Sequence, residues 1–293
     1  PTFFMTTGMV RFQFIQGRLC LNCPQHRKGT QSRDEPGISE SITVTSEGGV
    51  PSLHYVLQTT EQQLTLNVQH AGNVRMESRF LKSTQRAIVE QRVFGMIRWS
   101  LSDSGHTETR SGATLLHLRE HDPDAFDLHF GPLIACLLRG RSLIMLMDET
   151  SLAMVEQARR GGTPSVAEIK DMVESLSAPT VVQRSYAHRK LLKWGTPVIP
   201  VLQTLSDQDL NAEQRARIRD IRNRLRTFVD DTPASLAKLL VNDRSYWEVT
   251  VHRFNEGQVM LVNRHLEQLG VASLGVVSTA GNRVAARAGN SLK

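Results

Sequence analysis

His117-Leu118-Arg119-Glu120-His121 sets two imidazoles four residues apart with a carboxylate between them. On a helix those imidazoles share a face and can hold one zinc ion, with Glu120 as general base, which is the chemistry of zinc-dependent hydrolysis. Such a site needs a third ligand. Glu156, Glu168, Glu174 and His129 are the candidates, and none sits in a second recognisable motif. Asp122-Pro123 follows at once and limits the first helix to about two turns, so no zinc is expected. Cys20-Leu21-Asn22-Cys23 has the spacing of half a metal knuckle, with His26 nearby, but no second pair exists to complete four ligands. Two ordinary thiols are expected, with Cys136 in an apolar helix face. The third cluster is basic. The stretch Ala212–Arg226 contains six arginines, and Arg215, Arg219, Arg222 and Arg226 line one stripe at helical spacing beside Ile218, Ile221 and Leu225. The stripe suits nucleic-acid phosphates. It also suits a solvated face whose arginine stems cover an apolar seam, with Glu213 and Asp220 as local partners; this second reading is the expectation.

These residues depend on two kinds of element. Over the first hundred residues apolar side chains alternate with polar ones. Val10, Phe12 and Phe14, a Gln16-Gly17 turn, then Leu19 and Leu21 predict a hairpin. Residues 23–37 are polar and read as a loop. Ile42 and Val44, a Gly48-Gly49 turn, Leu53–Leu57, Leu64–Val68, Val74 and Met76, and 89–101 as one strand complete an antiparallel sheet or sandwich. After Gly112 the period lengthens. Thr114 is expected to cap a short helix to His121, and Asp122-Pro123 to open another. Residues 142–148 fit a strand or a helix. Gly161-Gly162-Thr163-Pro164 is the clearest punctuation. Beyond it, helices are expected over 165–176, 181–194, 196–205, 212–226, 232–241, 245–254 and 256–269. No G-x-S-x-G, Walker A or dinucleotide-binding glycine pattern occurs.

Within the helical stretch, Arg184, Ala187, Leu191 and Gly195 fall on an R-x-x-A-x-x-x-L-x-x-x-G spacing, followed by Pro197-Val198-Ile199-Pro200-Val201-Leu202 and Leu205. Residues 176–225 thereby resemble a HEAT repeat followed by the first helix of another. The resemblance implies paired helices, with Ala187 at their close approach and Gly195 at the turn between them. It also implies binding through a helical surface, with no catalytic residues. Likewise, the spelling at 117–121 is that of the inverted zinc proteases.

The chain of 293 residues has 40% apolar residues and a net charge of +6, which suits a two-domain globular protein and permits an anionic partner. Three cysteines argue against a disulfide framework. The longest apolar run, 132–147, is broken by Arg139 and Arg141, so no membrane span is expected. The compartment stays open: cytoplasmic, or exported with a signal sequence absent from this chain. The fold expected is α+β, with a β-rich domain over 1–160, a HEAT-like helical domain over 161–270 and a flexible tail over 271–293. The function expected is non-enzymatic protein interaction or scaffolding without a cofactor. A zinc hydrolase using His117, Glu120 and His121 is the alternative, and nucleic-acid binding through the arginine helix the second alternative.

Overall fold

The computed structural model describes residues 10–22, 28–205, 210–226 and 229–275. Strands β1 (Arg11–Ile15) and β2 (Arg18–Asn22) form the expected hairpin, with Gln16 and Gly17 both at positive φ in its two-residue turn. Eight further strands run as an antiparallel meander in which each pairs with the next: β3 (Gly29–Glu35), β4 (Ile38–Glu47), β5 (Val50–Thr59), β6 (Gln62–Gln69), β7 (Asn73–Phe80), β8 (Arg86–Gln91), β9 (Ile97–Asp103) and β10 (His106–Gly112).

Register makes one face of this sheet apolar. Ile42, Tyr55, Leu66, Met76, Val89 and Trp99 lie side by side across six strands, and all are buried. On the opposite face the corresponding row is polar: Thr43, His54, Asn67, Arg75, Glu90 and Arg98. The apolar face is closed by the hairpin and by helix α2, whose Phe126 meets Trp99 edge-on at 5.6 Å.

The helices are α1 (Leu115–His121), α2 (Pro123–Leu137), α3 (Leu143–Arg160), α4 (Val166–Ser175), α5 (Val181–Trp194), α6 (Ile199–Thr204, after a 3-10 turn at Thr196–Val198), α7 (Ala212–Leu225), α8 (Pro233–Leu240), α9 (Arg244–Thr250) and α10 (Glu256–Gln268). The chain is therefore α+β, with its β-rich part first. Among the described residues no helix is long and apolar enough to cross a membrane.

Several expectations need correction. The polar stretch 23–37 contains strand β3. It is an edge strand exposed on both faces, so it pairs through its backbone and leaves no apolar alternation to read. Residues 89–101 are two strands, folded back at 92–96 with Gly95 at φ 86°. Residues 142–148 open helix α3, capped by Ser142, whose hydroxyl accepts from Met145 N–H. Thr114 precedes α1 without capping it; its hydroxyl faces His117 instead. Cys136 is half-buried. Residues 271–275 pack back on α10: Leu274 is buried, and its N–H donates to Asn263 Oδ1 at 2.7 Å. Residues 276–293 lie outside the described residues.

Gly161 and Gly162 have φ values of 64° and 80° at the end of α3. Contacts cross this point throughout. Helix α3 packs on α8 and α10, α1 packs on α9, and one hydrophobic cluster extends from Val10 to Leu274. Two close approaches lock the junction. A Cβ on Gly17 would come within 2.5 Å of Thr114, and one on Gly112 would fall inside the His117 side chain.

In the helical half, Ala187 and Leu191 are fully buried, Gly195 ends α5 at φ 76°, and Val198, Val201 and Leu202 are buried behind it. Ala187→Leu is expected to overpack α5 against its neighbours and to cost about 1–3 kcal/mol in chemical denaturation. An unchanged midpoint would show that the helix pair is not closely packed and would remove the physical basis of the repeat resemblance.

Candidate anion-binding cleft

Helix α7 starts where Asn211 and Gln214 exchange side-chain and backbone hydrogen bonds in a capping box. Ile218 and Ile221 are buried, and Gln214 Nε2 donates to Val173 O at 3.1 Å, which fixes the helix against α4. That docking divides the arginines. On the side away from the sheet, Glu213 pairs with Arg217 and Arg184, each at 2.9 Å. Asp220 pairs with Arg224 and His188, also at 2.9 Å. The hydrogen bond from Arg224, joined by His188, holds the Asp220 carboxyl below its ordinary value. Both acidic residues of α7 are thus engaged away from the predicted stripe.

Arg215, Arg219 and Arg222 face the other way, into a cleft of about 1020 Å³ between α7 and the rim of the sheet. The rim adds Arg92, Arg98 and His70. Arg92, Arg98 and Arg219 make no ion pair among the described residues. Among the described residues the cleft has a single carboxylate, Glu90, which forms an ion pair with Arg75. Apolar residues share the wall, among them Phe94, Met96, Leu202 and Ile218. Arg226, the fourth member of the stripe, leaves it: its Nη2 donates to Cys20 Sγ at 3.3 Å beside a smaller pocket.

The rim loop is held from beneath. The buried Arg18 guanidinium donates to Ala113 O (3.1 Å), Arg92 O (2.9 Å) and Gly95 O. Burial, and then the charge of Arg222, lowers its pKa to about 10, so Arg18 stays charged at neutral pH. Val93 N–H donates to Asn73 Oδ1 at 2.8 Å. With these carbonyls and the N–H satisfied, Phe94 is presented on a pinned loop with 37% of its surface exposed and the Arg222 guanidinium 4.4 Å from its ring centre.

The H-x-x-E-H residues diverge. His117 is buried, with Nδ1 2.9 Å from Thr114 Oγ1 and Nε2 3.3 Å from both Asp243 Oδ2 and Ser245 Oγ. This hydroxyl–imidazole–carboxylate chain has the atoms of a nucleophilic relay, but Thr114 and His117 are each 1% exposed. It ties α1 to the start of α9. Burial works to raise the Asp243 carboxyl. The charge of His117 and hydrogen bonds from His117, Ser245 and Tyr246 outweigh it and hold Asp243 below its ordinary value. Glu120 is fully buried, 2.5 Å from Arg253 Nη2 and 3.6 Å from His252 Nε2. His121 lies with Trp99, Leu101 and Arg110 on the sheet side of α1, and burial, with the charges of His117 and Arg110, lowers its pKa.

The proposed third ligands are elsewhere. Glu156 pairs with Arg159, Glu168 caps α4, Glu174 is exposed, and His129 Nδ1 lies 2.8 Å from Ser78 Oγ inside the sheet core. Among the described residues no three His, Cys, Asp or Glu side chains gather to hold a metal. Cys20 is buried, and that burial raises its thiol pKa. Cys23 and His26 lie outside the described residues.

Arg92, Arg98, Phe94 and Arg18 escaped the sequence reading. Their common signal is the turn at Gly95, which brings two arginines and an aromatic residue to one rim; with 89–101 taken as a single strand, the three could not meet. Comparison with models of protein families, with curated proteins and with solved structures finds no match. Fold and site alone therefore define the class: an α+β protein in which a helix-capped meander sheet and a helical array enclose a cationic cleft.

Proposed function

We propose that this chain is a non-catalytic binding protein whose partner is a polyanion seated in the arginine cleft. One observation carries the reading: Glu213 and Asp220 engage arginines and a histidine outside the cleft, and Glu90 pairs with Arg75, while Arg92, Arg98 and Arg219 face into the cleft without an ion-pair partner among the described residues. Cations held together in a cleft repel one another, and an anion removes that cost. The burial of His117 and the ion pair of Glu120 with Arg253 argue against zinc hydrolysis by these residues.

Retention of inorganic polyphosphate tests this. The wild-type chain should bind it at low salt and release it as salt rises, and an Arg92→Gln/Arg98→Gln/Arg219→Gln variant should lose most of that binding. No binding at low salt would refute the reading. Equimolar zinc in the purified protein, lost in His117→Ala, would replace it with the hydrolase.

A protein partner is the second reading, favoured by Val181, Val182 and Tyr186, which are 64%, 77% and 53% exposed at the start of α5. Under it, the HEAT-like helices act as a scaffold surface. Capture of a specific protein, abolished by charged substitutions at Val181 and Val182 and untouched by the arginine variant, would favour it.

A further inference from the structure

Resting on the polyanion reading, we propose that the cleft recognises nucleotide units, with phosphates on Arg92, Arg98 and Arg219 and a base on Phe94. The walls distinguish this ligand from a plain polyanion. A site for bare phosphate chains needs cations and polar donors, whereas this one mixes arginines with Phe94, Val93, Met96 and Ile218. Apolar area beside fixed positive charge suits a ligand with a planar face and an anionic backbone.

Phe94 has the properties of a stacking platform. Its backbone is pinned through Arg18 and Asn73, so it is presented without further ordering. The Arg222 guanidinium lies over one face of its ring, 4.4 Å from the ring centre, and continues the stack with a planar group that itself stacks on bases. The cleft, at about 1020 Å³, stands at the upper end of the range of roughly 300–1,000 Å³ for pockets that enclose one small ligand, so it has room for more than one nucleotide. Free nucleotides and single strands present the same chemistry, and the test separates them.

Binding of a labelled 12-nucleotide oligo(dT) is measured for wild type, Phe94→Leu, Phe94→Tyr and the triple arginine variant. ATP and inorganic polyphosphate serve as competitors, and thermal midpoints serve as the folding control. Loss of one stacked base weakens binding by about 1–3 kcal/mol, roughly 5- to 150-fold. Phe94→Leu is therefore expected to weaken oligo(dT) binding by that factor while leaving polyphosphate binding intact, and Phe94→Tyr to retain both. The triple arginine variant should lose both and flatten the salt slope for oligo(dT) by about 0.7 per contact, roughly 2 in all. ATP competing as well as an equal concentration of oligo(dT) identifies free nucleotides as the source; competition by the strand alone identifies single-stranded nucleic acid.

Equal binding of oligo(dT) by wild type and Phe94→Leu would overturn the nucleotide assignment and leave the polyanion reading standing. Failure of polyphosphate and oligo(dT) alike would overturn both.

Discussion

Arg253→Met should destabilise the protein by about 3–5 kcal/mol, the cost of leaving a buried charge without its partner. Glu120 is fully buried on α1, and Arg253, from the 3-10 turn after α9, reaches it at 2.5 Å. Burial works to lower the Arg253 pKa. Its contact with Glu120, together with the charges of Glu120 and Asp148, outweighs that and raises it. Asp148 also binds Arg253 but is more than half exposed and contributes less. His252, at 3.6 Å and well exposed, is a poor substitute for the guanidinium.

One signature distinguishes this mechanism from a simple packing loss. The double substitution Glu120→Leu/Arg253→Met should recover most of the loss, because it removes both charges together. Urea denaturation of the single and double variants decides the matter. An Arg253→Met deficit below about 1 kcal/mol would mean that water reaches Glu120, and would reopen the general-base role that the sequence offers it.

The second large effect is a pH dependence centred on Asp231. Its carboxylate accepts from Gly17 N–H at 2.7 Å, and the neighbouring Asp230 accepts from Phe14 N–H at 2.9 Å, so the two aspartates join the β1–β2 hairpin to the start of α8. Burial raises the Asp231 pKa from 3.8 to about 6, in spite of hydrogen bonds from Gly17, Gln16 and Ser235 and the charge of Arg141. Between these values the folded protein holds a proton that the unfolded chain has released. The contribution of this group to stability is therefore complete below about pH 4 and is lost as pH rises through about 6. The loss amounts to about 3 kcal/mol.

Asp231→Asn keeps an acceptor for Gly17 and cannot ionise. Its stability relative to wild type should be constant at low pH and rise by about that amount between pH 4 and 6.5. A flat difference across that range would show that the carboxyl is solvated. The same hairpin also anchors the end of the arginine helix, because Gln16 Nε2 donates to Leu225 O at 2.9 Å. Conditions that loosen Asp231 are therefore expected to loosen one wall of the cleft.

The helical half was legible almost to the residue. Helix α5 runs from Val181 to Trp194 and ends at Gly195, and α7 begins at Ala212 behind its cap. Helices announce their ends through local chemistry: a side chain that caps the first N–H groups, and a glycine that takes the left-handed turn. Strand β3 was invisible because its order comes from β4 beside it rather than from its own side chains. The β8–β9 turn was missed because alternation of period two runs through it.

For the candidate sites the contrast is sharper. The sequence by itself determined which residue types lie on one helix face, and so placed Arg215, Arg219 and Arg222 together and put His117 one turn from His121. Tertiary structure decided what each faces. It drew Glu120 to Arg253, His117 to Asp243 and Arg226 to Cys20, and it brought Arg92 and Arg98 across from the sheet rim to Arg219. The reason is physical: helical spacing is set by backbone geometry over a few residues. The partners of Glu120, His117 and Arg226 and the sheet rim of the cleft come from elements more than a hundred residues away, and only the packing of the core brings them near.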